Sequence, residues 1–578
     1  MSAILKHLTE RNCLIVFCAL FALLAVWIAS VPYEPMKWDL ADATTNYIWT
    51  GYYAEGRFHV TWDEWTRDWG NLRTQSSVAE YDGQYVVVNE KGPGLAAMLV
   101  PFRMAGTELL FAPLMIAYAV LGTYVLGKRI LGWRTGIVAS CFVLTNLTVL
   151  VMWHRYYWTD AATMHLLVLA LALFLESFYY LNGRTLDPRE VLKPSQRDRL
   201  AGAALGLLAG LIFGAAVSTR YAVALVGIAM PCYLLTFYLV KLWPELRKGA
   251  LRKAICGARG LIVVMPFLLG LMLVLVPLMQ YNTAYFGGPF RSGYDATKLT
   301  DFDPAAGLEP RNTSAAWSAD LFDIFDTAVR NFFLLLPILV SRMPFILLAP
   351  VGFWFLRKKP WLALLLPWMV IAMGTYLSLS WVAMYARFER LVPWEPRYFM
   401  PAIPPLAIAG AIALDSLAFK FIRVKGVDLR NAAGAIFVLI VVGIIALWGL
   451  APAAAHFSEI GPGYRTPGGP PPPLAMNVTI DQLLKNPNEY LQRFVRLENV
   501  SVVEVIPMGL VVQSSDAQRI AVRLDSWPHG TLPQFRVGDR VDLGGIFMME
   551  SLPDQPPRYF MNVKYGTEDY IRLRIFPP

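Results

Sequence analysis

Apolar runs of about twenty residues recur through the first 455 positions of this chain, each long enough to cross roughly 30 Å of hydrocarbon as a helix. Such runs have no place in a water-soluble body. Of the 578 residues, 56% are hydrophobic and only 16% charged, with a mean hydropathy of +0.45, so the polar surface is too small to coat a soluble globule. The pattern predicts an α-helical polytopic membrane protein. Eleven spans are expected, over Cys13–Val31 and near residues 107–127, 135–152, 161–181, 201–218, 222–240, 260–280, 343–356, 361–380, 400–418 and 432–453. The first run is longer than a secretory apolar core and lacks a small-x-small cleavage site, so it reads as a retained helix.

Lysine and arginine concentrate in alternate loops: Lys128, Arg129 and Arg134; Arg184 to Arg199; Lys241 to Arg259; Arg357 to Lys359; Lys420 to Arg430. The positive-inside rule assigns these loops to the cytoplasm. That accounts for the +9 net charge without nucleic acid and places the N-terminus inside. Segments 32–92, 153–160, 281–330 and 381–398 and the C-terminal region then lie outside. The five cysteines stand in or beside spans or on the cytoplasmic side, at spacings that fit no zinc site, so neither a disulfide framework nor a metal cluster is expected.

The first outer segment is about sixty residues long, more than a connector needs. "DATTNYIWTGYYAEGRF" has a helix-like spread of aromatics, and "AEYDGQYVVVNE" reads as a hairpin turning at Asp82-Gly83. This segment is expected to fold as a cap on the outer surface. "YNTAYFGGPFRSGYD" suits an interfacial loop, and "AVRNFFLLLPILVSRMPF" suits a short interfacial or re-entrant helix. After the last span, "GPGYRTPGGPPPPLAMN" is a stiff Pro/Gly linker. Residues 475–578 begin with the helical "TIDQLLKNPNEYL" and continue in strand-like alternation, a pattern for a small barrel of about five strands.

Ionisable groups beside hydrocarbon are costly, which makes them functional candidates. Lys91 follows Glu90 just before a span, Asp160 opens one after "WHRYYW", Arg220 stands between two apolar runs, and Arg397 with Tyr398 precedes "FMPAIPP". Asp39 and Asp42 lie just past the first span. All fall on one membrane face. Cations there can hold a phosphate through charge-assisted hydrogen bonds, and a carboxylate can take a proton from an attacking hydroxyl. Plainer roles exist for each: a helix cap for Asp42 or Asp160, a snorkelling anchor for Lys91, an interfacial anchor for Arg220, loop packing for Arg397. His154 and His165 are isolated and are not read as metal ligands.

"DATTNYIWTGYYAEGRF", "YDGQYVVVNEKGPGLAAMLVPF", "WTDAATMHLLVLALALF" and "EPRYFMPAIPPLAIAGAIAL", in that order, resemble the signatures of polyprenyl-phosphate-sugar-dependent glycosyltransferases of the GT-C fold, the superfamily of protein O-mannosyltransferases and aminoarabinose transferases. The resemblance covers roughly residues 10–455. It implies a GT-C transmembrane domain over 1–455, with 32–92 as its extracytoplasmic catalytic loop, a linker over 456–474, and an extracytoplasmic domain over 475–578 that resembles OB-folds.

The resemblance also implies roles. Asp42 stands fourteen residues before Gly56, the spacing of the family's general base, with Asp39 as runner-up. Lys91 would grip the donor phosphate, Glu90 would orient donor or acceptor, and Asp160 would be a second acidic group in the cavity. Arg220 would face the lipid phosphate; Arg397 and Tyr398 would bind phosphate or pack the loop. Where the family has Glu/Lys-Pro-Pro, this chain has Glu90-Lys91-Gly92-Pro93, which predicts a less rigid turn.

The reaction implied is inverting transfer of a sugar from a polyprenyl-phosphate monosaccharide to a hydroxyl of a lipid, glycan or protein acceptor, at the outer face of a plasma (inner) membrane. Nucleic acid is no partner and no cofactor is required. The acidic residues leave a divalent metal open, but the Glu-Lys motif favours the metal-independent branch. Competing readings are a secondary transporter or lipid flippase, which would want charges near the midplane, a lipid-diphosphate-dependent polymer ligase, and a scaffold whose C-terminal domain does the work.

Overall fold

The computed structural model describes residues 10–31, 42–69, 75–154, 156–188, 190, 192–247, 259–299, 302, 304, 307–308, 321–378, 395–421, 427–459, 476–490, 494–506, 509–514, 517–523, 536–550, 558–562 and 570–573. Most are helical. Along the chain come Glu10–Ala29 (α1), Asp42–Ala54 (α2), Gly94–Met104 (α3), Phe111–Ile130 (α4), Trp133–Leu144 (α5), Leu147–His154 (α6), Thr159–Leu181 (α7) and Gln196–Thr219 (α8). A 3-10 segment, Tyr221–Ile228, runs into Ala229–Arg247 (α9). Val264–Phe286 (α10), Leu321–Arg342 (α11), Ala349–Leu356 (α12), Leu362–Leu377 (α13), Ile403–Ser416 (α14) and Val427–Glu459 (α15) follow.

Among the described residues nine helices are long and apolar enough to cross a membrane, or ten if the bent α5–α6 pair is one span. The expectation of eleven is corrected in four places, one of them 361–380, where the 16-residue α13 is shorter than the nine. The run at 135–152 breaks by 59° between α5 and α6, where the Asn146 side chain accepts from Val149 N and donates to Arg342 O at 2.8 Å. The segment expected to be a short re-entrant helix is the 22-residue α11, which starts at Leu321 and continues through Pro337. The span expected at 343–356 is instead a 3-10 turn from Pro344 followed by the eight-residue α12. At 1.5 Å per residue α12 is about 12 Å long, too short to cross alone.

The buried centre is α7, whose side chains are inaccessible for most of its length; α4, α8 and the 3-10 segment Glu395–Ala402 pack around it. Glycines set the closest approaches. A Cβ on Gly122 would meet the backbone of Val168 at 2.9 Å. At the Lys/Arg-rich end, Arg129 pairs with Glu176 at 2.5 Å, Lys128 with Glu10 at 2.5 Å and Arg184 with Asp198 at 2.8 Å.

At the other end lies a four-stranded sheet. Ser76–Tyr81 (β2) and Gln84–Asn89 (β3) form the expected hairpin, and Tyr81 faces Gln84 across Asp82 (φ 50°) and Gly83 (φ 73°). Two left-handed residues make the two-residue turn whose twist suits a hairpin, which is why Asp-Gly marked it. Val60–Thr61 (β1) pairs with β3, and Thr297–Lys298 (β4) pairs with β2. The two long segments read as outer loops therefore share one sheet and one end of the bundle.

Residues 476–573 form a separate β unit. After Met476–Asn477 (β5) come Phe494–Ile506 (β6), Gly509–Gln513 (β7), Arg519–Arg523 (β8), Arg540–Glu550 (β9), Arg558–Asn562 (β10) and Tyr570–Leu573 (β11). Strand β6 pairs with β7, β7 with β8, β8 in parallel with β10, β10 with β9, and β9 returns to β6. Five strands thus close into a barrel, the expected architecture. Leu497, Val502, Val512, Val522 and Leu543 fill it, joined by Ile480 and Leu483 from the short helix Ile480–Lys485. That helix is capped reciprocally by Thr479 and Gln482. The linker proposed at 456–474 lies almost wholly outside the described residues.

Candidate active site

Asp160 is the second residue of α7 and is 1% exposed. The cap position belongs to Trp158 and makes no side-chain cap bond, so a capping role for Asp160 is set aside. Its carboxylate pairs instead with Arg220 through one oxygen and with Arg397 Nε through the other, at 3.3 Å. Two guanidinium groups from distant parts of the chain converge on it.

Each arginine is held by aromatic faces. Arg397, 5% exposed in the 3-10 segment Glu395–Ala402, lies 4.1 Å from the Trp158 ring centre and 4.5 Å from that of Tyr398, and donates from Nη2 to the Tyr398 hydroxyl at 2.9 Å. Arg220 lies 5.0 Å from Tyr376 and 5.2 Å from Tyr398. It is the single extended residue, at φ −154° and ψ 107°, between α8 and the 3-10 segment that follows. With a side chain only 15% exposed, it is no anchor reaching toward water.

The turn bearing Lys91 packs on the stretch bearing Arg220. Gly92 has φ +90°, and a Cβ there would stand 2.8 Å from Tyr221 Oη and 3.1 Å from Ser218 O. The next glycine, Gly94, opens α3 directly against Ser218. Gly92 therefore does not loosen the turn. It permits a left-handed bend at van der Waals distance that proline, fixed near φ −65°, cannot make. Lys91 is 7% exposed and Glu90 4%, so Lys91 is not an anchor whose ammonium reaches water. Its amide donates to Asn89 Oδ1 at 3.1 Å.

Helix α2 lies across the same end. Asn46 donates to Tyr157 O at 2.9 Å, three residues before Asp160, and Arg103 of α3 stacks 4.4 Å from the Tyr47 ring centre. The first turn of α2 is buried at Ala43, which joins the core of the membrane bundle. Asp42 begins α2 one turn ahead of Asn46, and its side chain lies outside the described residues. Asp39 lies outside them too. Farther along α2, burial pushes the Tyr53 phenol well up, keeping it neutral.

The structure thus brings Asp160, Arg220, Arg397 and Tyr398 into contact and packs Gly92, which follows Glu90 and Lys91, on Ser218 and Tyr221 to either side of Arg220 in sequence, with the start of α2 beside the stretch leading to Asp160. Among the described residues no three His, Cys, Asp or Glu side chains gather as a metal site. Trp158, Tyr376, Tyr221 and Asn282 escaped the sequence reading. Trp158 stood in the quoted "WHRYYW", but Tyr376 sits inside an ordinary apolar run and carried no signal.

No protein-family model matches the chain, and no curated protein matches it. Among solved structures it is similar to the oligosaccharyltransferase AglB from Archaeoglobus fulgidus in complex with an inhibitory peptide and a dolichol-phosphate, at 13% identity and TM-score 0.42, over 78% of this chain and 56% of that one. It therefore spans little more than half of AglB. It is also similar to ArnT from Cupriavidus metallidurans bound to undecaprenyl phosphate, at 14% identity and TM-score 0.40, over 85% of this chain and 96% of that one. The apo form of ArnT matches at 16% identity and TM-score 0.38, over 77% and 74%.

Proposed function

We propose that the chain is a GT-C-type membrane glycosyltransferase that moves a sugar from a polyprenyl-phosphate monosaccharide to an acceptor hydroxyl at the extracytoplasmic end of its bundle. The observation that carries this reading is the pair of buried guanidinium groups on Asp160 with the Lys91 turn packed beside them. Lys91, Arg220 and Arg397 are the cations assigned to the single negative charge of a sugar-phosphate-lipid diester, through charge-assisted hydrogen bonds. When the bond between anomeric carbon and phosphate oxygen breaks, its electron pair passes to the phosphate, which becomes a monoester of higher charge. Lys91 and Arg220 oppose that growth in this reading, the differential stabilisation that lowers a barrier.

Asp42 accepts the acceptor proton as the hydroxyl oxygen bonds to the anomeric carbon, and one displacement inverts that carbon. Asp160 serves as the anion that holds both arginines, and Glu90 orients the donor or acceptor. Asp39 is the alternative base. The ionisable groups sit at one end of the spans, which favours a transferase over a transporter working at the midplane. No metal or cofactor is assigned to the step. The C-terminal barrel is proposed as an extracytoplasmic accessory domain.

The test is transfer by protein reconstituted with polyprenyl-phosphate sugars, comparing wild type with Asp42→Asn and Lys91→Ala. Loss of transfer in both variants supports the assignment. Full transfer by both would sink the site, and no transfer by the wild type from any such donor would remove the reading.

A further inference from the structure

Tyr221 follows Arg220 directly, and its phenol tip fills the space beneath Gly92, 2.8 Å from where a Cβ would stand. The hydroxyl donates to Asn282 Oδ1 at 3.1 Å, and Asn282 Nδ2 donates in turn to Pro289 O at 3.2 Å. Asn282 is 3% exposed near the end of α10. Pro289 lies on the loop that continues into β4, so this chain of bonds reaches the sheet whose strand β3 ends just before Glu90 and Lys91. The same loop backs onto Glu90, since a Cβ on Gly293 would lie 2.6 Å from Glu90 O. One hydroxyl therefore joins three parts: the Lys91 turn, the one-residue hinge of Arg220, and the loop that closes the sheet.

We infer that Tyr221, held by Asn282, is a positioning residue that fixes the spacing between Lys91 and Arg220, and so the fit of the phosphate between them. This rests on the proposed phosphate grip. Ring packing alone would be kept by phenylalanine; the spacing requires the hydroxyl, because that oxygen both seats Gly92 and bonds Asn282. Removing it leaves a void under the turn and releases the loop from α10. The consequence is specific to phosphate, not to the fold.

The experiment measures binding of a polyprenyl monophosphate to the full-length protein in nanodiscs, together with its thermal midpoint, for wild type, Tyr221→Phe, Asn282→Ala and Lys91→Ala. Tyr221→Phe and Asn282→Ala are expected to weaken binding about tenfold, with the Tyr221→Phe midpoint close to wild type. Wild-type affinity in Tyr221→Phe, alongside weakened binding by Lys91→Ala, overturns the role of Tyr221 and leaves the phosphate grip standing. Wild-type affinity in Lys91→Ala overturns both. A loss in Tyr221→Phe that merely tracks a lowered midpoint makes the residue structural and overturns the inference.

Discussion

Asp160→Asn removes the negative charge between two guanidinium groups while keeping the side-chain size. Asp160 is 1% exposed and pairs with Arg220 and, at 3.3 Å, with Arg397. Breaking a buried ion pair from one side costs about 3–5 kcal/mol, because the partner charge stays buried without compensation. Here two partners lose it together. The faces of Trp158, Tyr376 and Tyr398 already hold the cations in the wild type and so offset none of the loss. The expected cost is therefore about 3–5 kcal/mol, read by equilibrium unfolding of the purified protein in mixed micelles. A second arm adds a polyprenyl monophosphate. At one hundred times its Kd a ligand stabilises by about 2.7 kcal/mol through mass action, so it should restore much of the lost stability. An Asp160→Asn protein within about 1 kcal/mol of wild type without lipid would refute the reasoning, since the cations would then not depend on this carboxylate.

Arg397→Lys keeps the charge but loses the flat group lying 4.1 Å from Trp158 and 4.5 Å from Tyr398, and initial transfer rates should fall about tenfold or more. Gly92→Pro restores the residue of the resembling family, yet it should destabilise the cap by about 1–3 kcal/mol or more and abolish transfer, because φ +90° is closed to proline. Partial burial, then the neighbouring Arg57 charge, hold the His59 pKa below its ordinary 6.5. The unfolded chain therefore takes up the proton first. The His59 contribution to stability is present above pH 6.5 and is lost as pH falls through the lower folded value, and His59→Gln should flatten that acid limb in a pH series of unfolding curves.

What was legible in the sequence was what local chemistry decides. Asp82-Gly83 announced its hairpin because few pairs accept two left-handed residues, and most spans declared themselves by the length of their apolar runs. Helix α11 was misread because Asp323, Asp326 and Arg330 make its first turns amphipathic and Pro337 interrupts its apolar half, yet the helix runs on through both. The α5–α6 bend was hidden because it depends on Asn146 bonding Arg342, a partner 196 residues away. The charged members of the site could be named since a charge beside hydrocarbon stands out. Their aromatic supports could not: Tyr376 looks like any tyrosine in a span, and the value of Gly92 appears only once Tyr221 is seen beneath it.

Phosphorus NMR on the reconstituted wild type, given a polyprenyl-phosphate sugar and an acceptor, observes the leaving group itself. The account predicts that the phosphodiester signal gives way to a phosphomonoester, one for each sugar transferred, and that Asp42→Asn leaves the diester intact. A diester unchanged by the wild type with every donor and acceptor offered, or turnover only with a lipid diphosphate, would contradict it.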